Sequence, residues 1–228
     1  MQTKTFIFAS SKPWHKVQPE FSEISQGNAV SWAETPQQLE ELIVSCPGIR
    51  YIFFLHWSWL VPETIWKNYE CVCFHMTDVP YGRGGSPLQN LIVRGHTDTM
   101  LTALRMVAEM DAGPVYAKRT LSLEGTAHQI YLRAGKLSLE IIQWMTKHEP
   151  EPGPQVGDPV IFKRRKPEQS VLPEGGSITE LYDHIRMLDA PTYPLAFLEH
   201  GEFILEFTNA EADGDGLKAT VRIRRKSN

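Results

Sequence analysis

Apolar, strand-like runs alternate along this chain with helix-like segments. The strand-like runs are residues 5–9, 49–55, 71–75, 99–107 and 115–123. The helix-like segments are residues 35–46, 61–69, 86–95 and 126–147. This alternation predicts an α/β domain of the Rossmann-like type, with a mainly parallel sheet. In such folds ligands bind at the carboxyl ends of the strands.

Two of the helix-like segments begin with recognisable start signals. Thr35 precedes Pro36, and a hydroxyl residue followed by proline is typical of an N-cap and first helical position. Ser86 precedes Pro87 in the same way. We therefore expect helices that begin at Pro36 and Pro87, each capped by the preceding hydroxyl.

The second part of the chain follows a segment rich in proline and glycine, residues 148–159, which is typical of a connector. The sequence predicts a main domain over 1–150 and a small α+β extension over 151–228 that packs on it, because the extension is too short for a large core of its own. Its expected elements are a helix at 177–189 and strands at 195–200, 202–211 and 217–226.

Composition excludes several classes of protein. Apolar residues make up 42% and charged residues 22%, which indicates a globular chain. The net charge of -4 gives no basic field for nucleic acid, and no apolar stretch reaches the length of a membrane span. The three cysteines, an odd and sparse set, favour a reducing compartment, and we expect a cytoplasmic protein. The spacing of Cys71 and Cys73 does not predict a metal site.

Three charged motifs have ordinary explanations. The basic runs at 163–166 and 222–226 either hold a phosphorylated ligand or form solvated strand ends, and we favour solvated ends. Residues 213–218, DGDGLK, lack the carboxylate that completes a calcium loop and predict a hairpin turn.

His75 and Asp111 are the candidate chemical residues. His75 ends an apolar run before a loop with three glycines, and Asp111 follows another run. Each alone is more often structural, His75 as a satisfied ring and Asp111 as a turn residue. In neighbouring strands of one sheet, however, such side chains can meet at one edge. A carboxylate beside an imidazole fixes its tautomer and raises its basicity, which a general base needs.

The order of motifs in this region resembles the formyltransferase family that uses 10-formyltetrahydrofolate. The matching residues are His75, Val79-Pro80, Arg83-Gly84, Pro87-Leu88-Gln89 and Asp111-Ala112-Gly113. Residues 53–65 also resemble the segment that lines the family's folate pocket, and the end of the chain resembles the region after the catalytic domain in sugar-directed members. The sequence of residues 74–92 resembles that of the amino-sugar N-formyltransferases of the pseudaminic acid pathway.

The resemblance implies a mechanism and a set of site residues. An amine of an amino sugar, which we expect to be linked to a nucleotide, would attack the formyl carbon, with His75 as general base and Asp111 orienting it. The expected folate-binding residues are Leu60, Val61, Pro62, Met106, Glu109 and Asp111. The expected acceptor loop is Thr77, Tyr81, Gly82, Arg83, Gly84 and Gly85, in which the glycines let the backbone approach the acceptor and Arg83 anchors the loop.

Cys73 is a departure from the family pattern. The family has an asparagine there, which donates a hydrogen bond to the oxyanion, and a thiol is a weak donor. Losing one such donor costs about 3 kcal/mol of barrier. Cys73, His56, Ser58 and Thr77 are the candidates for this task.

Two other functions remain open from the sequence. The departure at Cys73 would suit a degenerate formyltransferase fold that only binds ligands. Water in place of the amine would make the chain a formyltetrahydrofolate hydrolase. A transfer RNA acceptor is disfavoured, because tRNA-directed members carry a larger, basic carboxyl-terminal domain.

Overall fold

The computed structural model describes residues 3–12 and 24–226. Its principal feature is a six-stranded sheet with strand order β2-β1-β3-β4-β6-β7. The strands of this sheet are β1 (Thr5–Ala9), β2 (Ala29–Ala33), β3 (Ile49–Phe54), β4 (Cys71–His75), β6 (Asp98–Arg105) and β7 (Val115–Ser122). The pairs β1–β2, β1–β3 and β3–β4 are parallel. The prediction of an α/β fold with a mainly parallel sheet is confirmed.

The pairing of β4 with β6 differs from a doubly wound arrangement. Strands β4 and β6 are antiparallel, with His75 opposite Thr102 and Val72 opposite Arg105. The carboxyl end of β6 therefore lies beside the amino end of β4. Strand β2 is not among the strands predicted from the sequence. Residues 29–33 are only half buried at the sheet edge and carry no strong apolar signal.

The helices begin close to the predicted positions. They are α1 (Pro36–Ser45), α2 (Glu63–Trp66), α3 (Pro87–Val93), α4 (Ala127–His148) and α5 (Ile178–Arg186), with a 3-10 turn at Pro167–Ser170. Thr35 caps α1 as predicted, because its hydroxyl accepts from the Gln38 amide. The expected cap at Ser86 is wrong. Ser86 adopts a left-handed conformation with φ 51°, and its hydroxyl accepts from the Arg165 amide instead.

The core lies on both faces of the parallel strands. Phe6, Phe8 and Phe53 are fully buried on one face, and the rings of Phe8 and Phe53 are 5.5 Å apart. The alternate residues point to the other face, where Ile7 and Ile52 belong to the cluster that Leu39 of α1 joins. Successive strand residues point to opposite faces, so both faces of β1 and β3 are covered.

Two smaller sheets complete the described chain. Strands β5 (Tyr81–Gly84) and β8 (Val160–Phe162) pair, so part of the expected glycine-rich loop is a short strand. Strands β9 (Ala196–His200), β10 (Phe203–Asp213) and β11 (Gly216–Arg225) form an antiparallel sheet. The predicted strands of the extension are confirmed, and Asp213 pairs with Gly216 across the predicted hairpin turn.

By compactness the described residues divide into two units. The first contains residues up to 84, 100–121 and 132–161; the second contains 85–99, 122–131 and 162 onward. The division into domains 1–150 and 151–228, with the second packing on the first, stays a prediction.

Candidate active site

His75 is the last residue of β4 and is buried, with its side chain 10% exposed. Its Nε2 lies 2.8 Å from the backbone oxygen of Gly82. A carbonyl oxygen only accepts hydrogen bonds, so Nε2 carries the proton and donates it. The neutral ring therefore has its free lone pair on Nδ1. The Thr77 hydroxyl donates to the same Gly82 oxygen at 3.3 Å.

Asp111 faces the free side of this ring. Its Oδ1 lies 3.6 Å from His75 Nδ1, and its side chain is 13% exposed. Its Oδ2 accepts from the Gly84 amide at 2.9 Å. One carboxylate thus faces the lone pair of His75 and also binds the β5 backbone.

The route by which Asp111 reaches His75 differs from the predicted one. We expected two neighbouring strands to end at the same sheet edge, but β6 is antiparallel to β4. The loop between β6 and β7 instead carries Asp111 to the ring of His75, with Asp111 in the left-handed region at φ 55°. Gly113 allows this path, because a Cβ there would lie 1.7 Å from the Arg105 oxygen.

The arrangement can accept and hold a proton. On the neutral ring Nδ1 is the atom with a lone pair to take up a proton, and protonation would place a positive imidazolium beside the Asp111 carboxylate. Opposite charges at this distance stabilise each other strongly in a site with little water. This chemistry suits removal of a proton from an attacking amine.

The acceptor-loop residues have several roles in the structure. Gly82 and Gly84 have φ of 78° and 104°, which favour glycine. A Cβ at Gly85 would lie 2.5 Å from the Cβ of Arg164, so this glycine permits a close approach within the chain rather than toward a ligand. Tyr81 is half buried, and its amide donates to the Asp78 oxygen.

Arg83 anchors β5 as expected, through the Glu109 carboxylate at 3.2 Å. It also donates from Nε and Nη2 to the side-chain oxygen of Gln155, at 3.0 and 2.8 Å. The sequence does not point to Gln155, because this residue lies in the proline- and glycine-rich segment whose composition predicts only a connector. A single half-buried polar residue in such a segment gives no periodic signal.

The four candidate oxyanion donors differ in what the structure allows them to donate. Burial, together with the nearby Asp111 carboxylate, raises the pKa of the Cys73 thiol well above its ordinary value. Cys73 also packs against the apolar cluster of Ile7 and Ile52. It therefore stays a neutral thiol in a largely apolar setting.

His56, Ser58 and Thr77 complete this comparison. Burial, with the Lys12 charge as a lesser cause, lowers the pKa of His56 to about 4, so its ring is neutral at pH 7. The Ser11 hydroxyl donates its one proton to the backbone oxygen of His56, at 2.7 Å. The Ser58 hydroxyl lies 2.8 Å from Ser11 Oγ, so in this pair Ser58 is the donor and Ser11 Oγ the acceptor. The proton of Thr77 is engaged by Gly82, as noted above.

The expected folate-binding residues lie on two loops of the first unit. Leu60 is 84% exposed, and the neighbouring Trp59 is 44% exposed. Val61 and Pro62 follow directly and precede α2, while Met106 and Glu109 lie in the loop that carries Asp111. Exposed apolar side chains of this kind offer a surface to a flat ring, so the residues present suit a pterin. The roles of all these residues stay predictions.

Two negative findings apply to the part of the chain that the structure describes. Within residues 3–12 and 24–226, no three His, Cys, Asp or Glu side chains are placed to share a metal ion. Within the same ranges, no helix has both the length and the apolar character needed to cross a bilayer.

The fold and the site together define an α/β enzyme with a histidine–carboxylate pair, and comparisons with known proteins give its family. Residues 167–224 match the family model of the methionyl-tRNA formyltransferase C-terminal domain. A solved structure of a methionyl-tRNA formyltransferase from Clostridium thermocellum is 38% identical, with a TM-score of 0.92, over 98% of this chain and 100% of that one. The chain belongs to the formyltransferase family, whose enzymes use 10-formyltetrahydrofolate.

A curated relative matches a shorter part. The methionyl-tRNA formyltransferase of Streptococcus pyogenes serotype M6 is 30% identical over 159 residues, which is 67% of this chain and 51% of that protein. The chain thus spans about half the length of this curated relative.

Two more distant structures share the fold. HypX from Aquifex aeolicus in complex with tetrahydrofolic acid is 19% identical with a TM-score of 0.72, over 92% of this chain and 38% of that one. A 4-N formyltransferase from Francisella tularensis is 14% identical with a TM-score of 0.65, over 87% of this chain and 93% of that one.

Proposed function

We propose that this chain transfers a formyl group from 10-formyltetrahydrofolate to an amine of an amino sugar, in nucleotide-linked form. The observation that carries the proposal is the contact of His75 Nδ1 with the Asp111 carboxylate at the end of β4. Membership of the formyltransferase family supports the choice of donor. The sequence of residues 74–92 supports an amino-sugar acceptor from the pseudaminic acid pathway.

In this proposal 10-formyltetrahydrofolate supplies the activated formyl group, and Leu60, Val61 and the loop of Met106 hold its pterin. The chain's own residues move the proton. The acceptor amine must be neutral to attack, and it loses one proton as its new bond to the formyl carbon forms. His75 Nδ1 takes that proton, and Asp111 holds the resulting imidazolium. The same proton then passes to the departing nitrogen, so the ring returns to its starting state.

The charges on β11 support a small acceptor. Two of the four basic residues in the run at 222–226 pair with carboxylates of their own sheet: Arg224 lies 2.8 Å from Glu206, and Lys226 lies 2.5 Å from Glu199. Lysine and arginine must neutralise phosphates to bind a polynucleotide, and these two are already neutralised. The net charge of -4 agrees with this.

Methionyl-tRNA is a second candidate acceptor. It is favoured by the match of residues 167–224 to a methionyl-tRNA formyltransferase domain, and by the names of the relatives from Clostridium thermocellum and Streptococcus pyogenes. A cytoplasmic setting agrees with either acceptor and with the three free cysteines, and it stays a prediction.

The test is a competition between the two acceptors. The purified chain is incubated with 10-formyltetrahydrofolate, a panel of nucleotide-linked amino sugars and methionyl-tRNA, and the products are analysed by mass spectrometry. We expect one formyl group on a sugar and none on the tRNA. Formylated methionyl-tRNA, with no sugar modified, would overturn the proposed acceptor in favour of the second candidate. The variant His75→Ala controls for non-enzymatic formylation.

A further inference from the structure

Gln155 joins strand β5 to the loop that carries Asp111. We propose that Gln155 is a positioning residue, which holds the backbone of Asp111 so that its carboxylate faces His75 Nδ1. The proposal rests on the function proposed above for its effect on rate, while its effect on geometry is independent of that function.

The Gln155 amide uses all of its hydrogen-bonding capacity. Its oxygen accepts from Nε and Nη2 of Arg83, at 3.0 and 2.8 Å. Its nitrogen donates to the backbone oxygens of Asp111 and Gly113, both at 2.8 Å. A guanidinium only donates and a carbonyl only accepts, so the orientation of the amide is fixed by its partners. A glutamine amide has two lone pairs and two protons to offer, and all four are engaged here.

The bonds to the carbonyls stabilise an unfavourable backbone. Asp111 has φ 55°, in the left-handed region that few non-glycine residues adopt. Its carbonyl and that of Gly113 converge on one amide nitrogen, which holds this loop in its conformation. Among the described residues, the Asp111 carboxylate itself accepts a hydrogen bond from the Gly84 amide, at 2.9 Å to Oδ2. Without Gln155 the loop could relax and turn the carboxylate away from the ring.

The bonds to Arg83 fix the other side of the site. Arg83 belongs to β5, whose Gly82 oxygen binds His75 Nε2 and whose Gly84 amide binds Asp111. One amide therefore links β5, which orients the histidine, to the loop that supplies the carboxylate. A displacement of about 1 Å between catalytic groups can cost on the order of a hundredfold in rate.

A purely structural role is the alternative explanation. Among residues 153–161, all described, only Gln155 is not exposed. Its bonds could serve merely to fasten this segment. The segment has other attachments, however, because Gly153 and Val115 exchange two backbone hydrogen bonds and the Val160 amide donates to the Pro80 oxygen. Loss of Gln155 should therefore leave the segment in place and disturb the site.

The test compares Gln155→Met, which keeps the length of the side chain and removes its hydrogen bonds, with Gln37→Met. Gln37 is exposed on α1 and bonds to Glu41, so it controls for the same chemical change at a neutral location. Amide hydrogen exchange of Gly84 reports the bond to Asp111 without any assay of activity. The rate of formyl transfer and its pH profile are measured for both variants and combined with Asp111→Asn.

We expect Gly84 exchange at least tenfold faster in Gln155→Met, with a melting temperature lowered by only about 2–4 °C, and kcat reduced about tenfold to a hundredfold. In the Asp111→Asn background the same change should lower kcat less than threefold, because residues acting as one unit are not additive. Unchanged Gly84 exchange, or a fully additive loss of kcat, would overturn the proposal.

Two further outcomes of the test are covered, a variant that does not fold and a wild-type chain without activity. If Gln155→Met fails to fold, Gln155→Glu replaces it, since a carboxylate keeps the bonds to Arg83 but cannot donate to the Asp111 and Gly113 oxygens. Faster Gly84 exchange is again expected, and unchanged exchange again contradicts the proposal. If the wild-type chain transfers no formyl group, the proposed function fails, and Gly84 exchange alone decides the positioning role.

Discussion

Replacing Gly113 with alanine should disable the site while leaving most of the fold. The added Cβ would lie 1.7 Å from the Arg105 oxygen and 2.9 Å from the Arg105 carbonyl carbon. Both are backbone atoms, so the loop must move by more than an ångström to reach an ordinary contact distance. Overpacking a well-ordered interior costs about 1–3 kcal/mol. In a chain of this size each kcal/mol lowers the melting temperature by about 2–4 °C.

The loss of activity should be larger than the loss of stability implies, because this loop carries Asp111. A displacement of about 1 Å can cost on the order of a hundredfold in kcat. Gly153→Ala is the matched control, since a Cβ there meets no atom within 4 Å. Thermal unfolding and steady-state kinetics of the two variants are compared. Equal kcat for Gly113→Ala and Gly153→Ala would refute the reasoning.

Three other predictions concern Asp111, Cys73 and Glu149. Asp111→Asn should keep the fold but lower kcat/KM at neutral pH by about a hundredfold, because an amide cannot stabilise the imidazolium that forms; an unchanged kcat/KM would separate the two residues. Cys73→Val should change kcat less than threefold, since the thiol packs against apolar side chains; a loss beyond about a hundredfold would instead mark removal of an oxyanion donor. A hydrogen bond from Lys4 lowers the pKa of Glu149, a group exposed to 37%, so its contribution is present at neutral pH and is lost as pH falls through that lowered pKa. Urea unfolding should show Glu149→Gln less stable by under about 1 kcal/mol at pH 7, with the difference shrinking as the pH falls through the lowered pKa; a difference that is independent of pH would mean that another interaction is responsible.

The sequence predicted those features that depend on local chemistry. Burial on both faces gives β3 a continuous apolar run, and Thr35 before Pro36 marks the start of α1. His75 was placed correctly at the end of β4, because an apolar run that stops at a titratable residue is visible without coordinates.

The features that depend on tertiary contacts were not predictable in this way. The antiparallel direction of β6 is a property of strand pairing, which leaves no mark on its own apolar pattern. The hydroxyl of Ser86 accepts from the distant Arg165 amide, and it makes no cap hydrogen bond to α3. The role of Gln155 depends on partners 42 to 72 positions away in sequence. Local patterns carry no information about such partners.

The most direct test follows the formyl carbon itself. The donor is labelled with carbon-13 in its formyl group, and NMR spectra are recorded with a nucleotide-linked amino sugar for the wild-type chain and for His75→Ala. The wild type should move the label into a formamide on the sugar, and His75→Ala should slow this by about 10²–10⁴-fold while still binding folate. Label released as formate would indicate a hydrolase, and label that stays on the folate even after methionyl-tRNA is added would indicate a binding module. Either result, or a His75→Ala variant that retains more than about a tenth of the wild-type rate, would contradict the role assigned to the His75–Asp111 pair.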